Sequence, residues 1–241
     1  MLARLFETWM TRIPSQCAVC RAWPAQRVCE DCVQRFARPL PRCRRCAIHL
    51  TSGQPVCGPC LLHPPILSSC HAALDYAFPW SACIANFKFH EDPSWAGMLA
   101  QLMMQAPGVA EAMQLADWVI PIPLSKPRLR ERGYNQALLL ARQLLGAADP
   151  GRDRLQAHLL WRVQDTASQA SLSRAQRLRN LRHSFALDPA QTPLLKNRRL
   201  LLIDDVMTTG ATLHSAAQVL LQAGAAREVH ACVLARTPAP W

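Results

Sequence analysis

The chain has 241 residues, of which 50% are hydrophobic and 18% are charged, and this balance excludes a disordered polypeptide. No run of about 18 apolar residues lacks a charge, which excludes a membrane-spanning helix. Arg4 and Glu7 interrupt the apolar run that a secretion signal needs, so we expect a cytoplasmic protein. Only three of the 27 basic residues behind the net charge of +11 are lysine, and arginine suits forked contacts with phosphate groups.

Eight of the eleven cysteines form four Cys-x2-Cys pairs in the first quarter of the chain. A two-residue gap lets one turn present two thiolates to the same tetrahedral ion, and two such turns complete a four-sulfur zinc shell. Short spacers favour the joining of successive pairs, although a cross-braced arrangement of alternate pairs is the open alternative. We therefore predict two structural zinc ions, one held by Cys17, Cys20, Cys29 and Cys32 and one held by Cys43, Cys46, Cys57 and Cys60.

A proline-rich break at His63-Pro64-Pro65 ends this cysteine-rich segment. We predict an N-terminal helix and double zinc ribbon in residues 1–64, and a second domain in residues 65–241. Eight thiolates and two zinc ions would reduce the net charge to about +7, and most of that reduction falls on residues 1–64. A nucleic-acid-binding finger is therefore less favoured than the raw charge indicates.

Strand and helix patterns alternate after the break. Strands are predicted at 72–78, 117–124, 199–203 and 228–235, and helices at 81–89, 95–105, 134–145 and 212–223. Residues 146–185 are polar and Arg-rich and contribute little predicted core. Alternation over about 175 residues predicts an α/β fold, with a mostly parallel sheet and helices on both faces.

The most specific chemical pattern follows the strand predicted at 199–203. Asp204 and Asp205 precede a Thr-Thr-Gly bend that leads directly into a helix. The backbone N–H groups, hydroxyls and helix N-terminus of such a bend form a phosphate cradle, and Gly210 lets the backbone approach the anion. Two adjacent acids repel phosphate, so they need hydroxyls or a metal; a phosphorylated sugar supplies hydroxyls beside its phosphate. The bend lacks the Gly-Lys-Ser/Thr ending of a P-loop.

Residues 200–212 resemble the phosphoribosyl pyrophosphate (PRPP) motif of type I phosphoribosyltransferases. Residues 120–136 and 166–180 resemble one branch of that superfamily, the ComF/GntX family, which also has an N-terminal zinc ribbon. The resemblance spans essentially the whole chain. It implies a type I phosphoribosyltransferase-like α/β domain after the ribbon, and PRPP bound together with magnesium.

The resemblance also implies roles for individual residues. Asp204 and Asp205 would hold the ribose hydroxyls of PRPP, directly or through magnesium. The 5-phosphate would be held by the bend residues Thr208, Thr209, Gly210, Ala211 and Thr212. Candidate pyrophosphate contacts are Arg128, Arg132, Gly133 and Asn135. Arg174 and Arg177 resemble a mobile hood over the site, and Lys88 matches a lysine common in the family.

Plainer interpretations of the basic residues stay open. Arg128, Arg130 and Arg132 also fit an exposed run or a nucleic-acid contact. Arg174 and Arg177, with their neighbours at helical spacing, also fit a solvated helix face.

Two functions follow from these patterns. The first is a PRPP-dependent transferase that moves the phosphoribosyl group to an unknown nitrogen acceptor. The second is an accessory protein that binds single-stranded DNA and keeps the PRPP site as a sensor. The ComF family is linked to natural competence, the uptake and use of external DNA, so competence or DNA-processing proteins are its expected partners.

Overall fold

The computed structural model describes residues 15–23, 26–51, 53–89, 92–148, 154–163, 184–187, 189–224 and 226–239. Within these ranges the helices and strands follow one another as α1 (Glu30–Phe36), α2 (Gly58–Leu62), β1 (Ser69–Asp75), α3 (Trp80–Phe89), α4 (Trp95–Gln105), α5 (Val109–Leu115), β2 (Trp118–Pro121), α6 (Lys126–Arg132), α7 (Gln136–Ala148), β3 (Leu160–Arg162), β4 (Phe185–Leu187), a 3-10 turn (Thr192–Leu195), β5 (Arg199–Met207), α8 (Ala211–Gly224) and β6 (Glu228–Arg236). No helix among the described residues combines the length and apolar character needed to span a bilayer.

Four parallel strands form the main sheet in the order β1-β6-β5-β2. The two central strands pair along most of their length, from Arg199 opposite Glu228 to Met207 opposite Arg236. Because all four strands run in the same direction, their carboxyl ends meet at one edge, where ligands of open α/β sheets gather. A short antiparallel pair, β3 with β4, forms a separate small sheet.

Both faces of the main sheet are buried. On β5, Leu201 and Ile203 join the core under α3, α4, α5 and α7, whereas Leu200 and Leu202 join the core under α8 and the β3–β4 pair. This two-residue alternation is what a strand between two helical layers requires. The predicted mostly parallel α/β sheet with helices on both faces is confirmed.

The cysteine-rich segment packs directly against the sheet domain. Cys17 and Cys32 belong to the same buried cluster as Trp80, whose indole N–H donates to the Phe36 carbonyl at 2.7 Å. The division into domains at residue 64 stays a prediction.

Several element boundaries differ from the sequence predictions. β1 ends at Asp75 rather than at residue 78, because the following residues turn into α3 and leave Phe78 exposed. The Arg-rich region, predicted to contribute little core, supplies buried Leu160 and Phe185 through β3 and β4. These strands are far apart in the sequence, so local periodicity does not reveal their pairing.

Candidate functional site

The bend between β5 and α8 has the geometry of an anion cradle. We call residues 208–212 the phosphate bend. Gly210 has φ +82°, and a Cβ there would lie 2.4 Å from Met207 Cε, so only glycine fits without displacement. Thr208 and Thr209 are exposed, and Thr209 Oγ1 accepts from the Ala211 N–H at 3.3 Å. The next N–H groups of α8, after that of Ala211, have no partner within the helix because they belong to its first turn, so they are available to an anion.

Asp204 and Asp205, which we call the acid pair, lie on β5 itself, since that strand continues past residue 203 to Met207. Asp204 Oδ1 accepts from the Asp205 backbone N–H at 2.9 Å. Lys88, near the end of α3, places its Nζ 2.9 Å from Asp205 Oδ1. The structure therefore brings Lys88, matched only by family resemblance, into direct contact with the acid pair.

The two carboxylates differ in their electrostatic surroundings. Desolvation, followed by the neighbouring negative charge of Asp205, raises the pKa of Asp204 to about 7. The positive charges of Lys88 and Arg162 oppose this shift but do not cancel it. Asp204 thus exchanges a proton close to neutral pH, which makes it sensitive to hydroxyl donors or cations brought by a ligand.

A cleft of about 150 Å³ adjoins the acid pair. Its polar lining comprises two acids, four basic side chains, two amides and one hydroxyl: Asp204, Asp205, Lys88, Arg128, Arg132, Arg162, Asn135, Gln136 and Thr212. The excess of basic groups suits an anionic ligand. Thr208, Thr209, Gly210, Ala211 and Gly133 do not line this cleft. Residues 208–211 directly precede Thr212, which does line the cleft.

The arginines after β2 lie on a helix, α6, rather than on the loop implied by the resemblance. Arg128 and Arg132 are four residues apart and therefore lie on the same face of that helix, toward the cleft. Arg130 is exposed and does not line the cleft. Two of the three arginines thus meet the acid pair across the cleft.

Gln136 is a cleft residue that sequence reasoning missed. It is 1% exposed, and its Oε1 accepts from Arg132 Nη1 at 3.2 Å. Its Nε2 has no hydrogen-bond partner in the part of the chain that the structure describes. A buried amide donor without a partner is costly, so this group is ready to meet a ligand oxygen.

Two predicted contacts have scaffold roles in the structure. Asn135 donates to the Ile122 carbonyl at 3.0 Å and accepts from the Leu138 N–H at 3.3 Å, which caps the start of α7. Gly133 has φ +72° and ends α6 in the left-handed conformation. Their contact with a ligand stays a prediction. Arg174 and Arg177, the predicted hood, lie outside the described residues.

The cysteines form two four-sulfur groups. In each group the ligand atoms all lie within 4.8 Å of one another; the first cysteine group is Cys17, Cys20, Cys29 and Cys32, and the second cysteine group is Cys43, Cys46, Cys57 and Cys60. Successive pairs are joined, so the sequential grouping is confirmed and the cross-braced alternative is wrong. Sulfur separations of 3.6 Å in the first group and 3.7 Å in the second approach the edge of about 3.8 Å that zinc–sulfur bonds of 2.3 Å give a tetrahedron.

Backbone donors favour the thiolate form of one cysteine in each group, whereas burial raises the pKa of Cys32, Cys46 and Cys60. Burial opposes ionisation of Cys17, but N–H donors including Cys29 (3.3 Å) and Val19 (3.4 Å) outweigh it and lower the pKa of Cys17 to about 6. In the same way the Cys57 N–H, at 3.3 Å, helps to lower the pKa of Cys43 to about 7 against burial. Both groups could therefore bind zinc.

Comparisons with known proteins identify the family of the chain. Residues 160–241 match the phosphoribosyl transferase domain family. DNA utilization protein YhgH of Salmonella typhimurium is 32% identical over 227 residues, which cover 90% of this chain and 95% of that protein. Competence protein F of Haemophilus influenzae is 33% identical over 213 residues, covering 87% and 90%. Competence protein ComFC of Bacillus subtilis is 39% identical over 119 residues, covering 49% and 44%. The chain therefore belongs to the ComF family, together with YhgH and competence protein F, and has a phosphoribosyltransferase-type domain.

Proposed function

We propose that the chain binds PRPP in the cleft and transfers its phosphoribosyl group to a nitrogen nucleophile. The observation that carries this proposal is the meeting of three features at one sheet edge. The acid pair lies on β5, the phosphate bend follows it, and Arg128 and Arg132 lie across the cleft. A sugar with phosphates at both ends presents hydroxyls and two anionic groups in a matching order.

Each part of the ligand has a chemically matched partner. Asp204 and Asp205 accept hydrogen bonds from the ribose hydroxyls, and the phosphate bend donates N–H and O–H groups to the 5-phosphate. Arg128 and Arg132 take the pyrophosphate, with the unpartnered Gln136 amide as a further donor.

The transfer breaks the bond between ribose C1 and a pyrophosphate oxygen, and the electron pair leaves with pyrophosphate. The lone pair of the acceptor nitrogen forms the new C1–N bond, and an amine acceptor then releases its N–H proton to water. Charge that develops on the leaving oxygens is stabilised by Arg128 and Arg132, which are already aimed into the cleft. Lys88 compensates the charge of Asp205 but not that of Asp204, so the two carboxylates can still accept a cation such as magnesium. Magnesium, when bound, would neutralise ligand oxygens beside Asp204.

Calorimetry with PRPP and magnesium tests the binding step. We expect binding to be lost when Asp204→Asn and Asp205→Asn are combined, whereas Asp31→Asn, an exposed acid on α1, leaves the affinity unchanged. Unchanged affinity in the double variant would refute the site. Pyrophosphate release across a panel of bases and amines then tests turnover, because a transferase releases pyrophosphate only when its acceptor is present.

A second candidate function is a DNA-binding accessory role with the PRPP site kept as a sensor. The names of the relatives refer to DNA utilization and competence, and the chain keeps a net charge of about +7 when eight thiolates and two zinc ions are counted with its formal +11. We propose single-stranded DNA as the ligand in this case, with competence or DNA-processing proteins as partners in the cytoplasm. Affinity for an oligonucleotide should fall steeply as salt rises. Absence of binding at low salt removes this candidate.

A further inference from the structure

Arg236, the last residue of β6, joins the phosphate bend to the second cysteine group. It is 8% exposed. Its Nη1 donates to the carbonyl oxygens of Met207 at 3.1 Å, of Thr237 at 2.9 Å and of Thr208. Its Nε donates to the carbonyl oxygen of Cys46 at 3.0 Å. One buried guanidinium therefore bonds both the start of the bend and the backbone of a cysteine in the four-sulfur group.

Packing reinforces this connection. Ala47, next to Cys46, is fully buried in the same core cluster as Met207 and Leu213, which lie on either side of the bend. Nearby, the Cys70 N–H on β1 donates to the Arg44 carbonyl at 2.9 Å. The second cysteine group thus rests on the elements that hold the phosphate bend, with no intervening linker.

The first cysteine group has a different environment. It belongs to the core cluster on the other face of the sheet, and Arg27 ties its loop to Asp92 at 2.6 Å. Among the described residues, no hydrogen bond or ion pair joins this group to the phosphate bend. The two groups therefore offer an internal comparison.

We infer that Arg236 is a positioning residue that couples metal binding at the second cysteine group to phosphate binding at the bend. The inference rests on the proposed function, because it assumes a phosphate ligand there. A guanidinium has a rigid fork, so it reaches Cys46 and Thr208 together only when both carbonyls are correctly placed. A metal bound through the Cys46 thiolate fixes that carbonyl, and an ordered bend fixes the other.

Coupling of this kind is reciprocal. If a bound metal tightens the bend around phosphate, phosphate must tighten the metal by the same factor. The reverse direction can be measured without turnover or an acceptor.

Zinc release from the full-length, zinc-loaded protein tests the inference. A chelating dye follows release with saturating ribose 5-phosphate, and with ribose as the control that lacks the phosphate. We expect ribose 5-phosphate to raise the zinc affinity of the second cysteine group about fivefold, the low end of typical coupling, and to leave the first group unchanged. With an unchanged rate of zinc association, release from the second group slows by the same factor. Cys60→Ser, which removes a ligand of the second group, identifies the slowed phase. Equal rates with the two sugars would overturn the inference.

Arg236→Lys tests the residue itself. A lysine keeps the charge, but its three donors share one nitrogen and lack the fixed fork, so it cannot hold the two carbonyls in the same geometry. We expect the slowing to disappear in this variant, provided that its thermal unfolding remains cooperative, and to persist in Arg27→Lys, the matched change beside the first group. Full slowing in a folded Arg236→Lys protein would also overturn the inference.

Experiments can distinguish a failure of the proposed function from a failure of the coupling through Arg236. Calorimetry that detects binding neither of PRPP with magnesium nor of ribose 5-phosphate refutes the proposed function and this inference together. Binding without any change in zinc release refutes only the coupling through Arg236.

Discussion

The Lys88 ammonium lies 2.9 Å from the Asp205 carboxylate, with the two side chains only 14% and 11% exposed. One residue comes from α3 and the other from β5, so the ion pair closes one side of the cleft. Asp204 lies beside this ion pair. Among the described residues, no cationic side chain forms an ion pair with Asp204 itself. Removal of one partner from such a pair leaves the other charge uncompensated.

Lys88→Met should lower the free energy of unfolding by about 2–3 kcal/mol at pH 8, because two neighbouring carboxylates then lose their cation. Chemical denaturation at fixed zinc measures this change. Lys196→Met, at an exposed lysine remote from the cleft, should change stability by less than about 0.5 kcal/mol. Similar losses in the two variants would show that the ion pair contributes nothing specific.

Asp204→Asn should stabilise the protein increasingly as pH rises. The pKa of Asp204 in the folded chain, about 7, lies above that of an unfolded aspartate, so the folded state loses stability between the two values as pH increases. Asparagine cannot ionise and avoids that loss. Relative to wild type, we expect a gain of about 2 kcal/mol between pH 5.5 and pH 8. A difference between the two proteins that does not change with pH would contradict the shifted pKa.

The same titration should appear in ligand binding. Below pH 7 Asp204 gains a proton and loses an acceptor for a ribose hydroxyl. Calorimetry should therefore show weaker PRPP binding at pH 6 than at pH 8 in wild type. In Asp204→Asn the affinity should be low at both pH values.

Local patterns predicted those parts of the molecule that are contiguous in the chain. Helix α4 has the predicted bounds, and the acid pair, the bend and the cysteine pairs are each visible as short motifs. Each of these motifs depends on the spacing of a few neighbouring residues, and that spacing can be seen directly in the sequence.

Contacts between residues that are distant in the sequence could not be predicted from local patterns. The approach of Lys88 to Asp205 depends on how α3 packs over β5, and Arg162 reaches the cleft only because β3 pairs with a distant strand. Gln136 is buried, and its amide donor has no hydrogen-bond partner among the described residues. No periodicity in the sequence specifies any of these three arrangements.

The arginines of α6 should differ in their effect on pyrophosphate binding, because only some of them line the cleft. Arg128→Ala, at a residue that lines the cleft, should weaken pyrophosphate binding about tenfold or more, the usual loss for a charge-assisted hydrogen bond. Arg130→Ala, two residues away and exposed, should leave it unchanged. Calorimetric titration with pyrophosphate measures both. Equal losses would instead indicate a diffuse electrostatic effect of the helix.

Metal analysis should find two zinc ions per chain, and loss of one in Cys17→Ala and in Cys60→Ala. The consequences should differ, because Cys17 is buried in the core cluster that contains Trp80, whereas Cys60 is only half-buried. We expect Cys17→Ala to lower the unfolding temperature more. Absence of zinc from wild type would discard the metal assignment.

Gly210→Ala and Gly133→Ala make a matched pair, since both glycines have positive φ, +82° and +72°. Alanine at either position costs about 1 kcal/mol in backbone strain. At Gly210 the new Cβ would also lie 2.4 Å from Met207 Cε, whereas nothing lies within 4 Å at Gly133. The end of the flexible Met207 side chain must then move aside, and the added methyl group occupies space at the bend that an approaching phosphate needs. We therefore expect both variants to lose stability and Gly210→Ala alone to lose affinity for ribose 5-phosphate by about tenfold, a 1.4 kcal/mol effect. Equal affinities in the two variants would mean that the bend does not hold the phosphate.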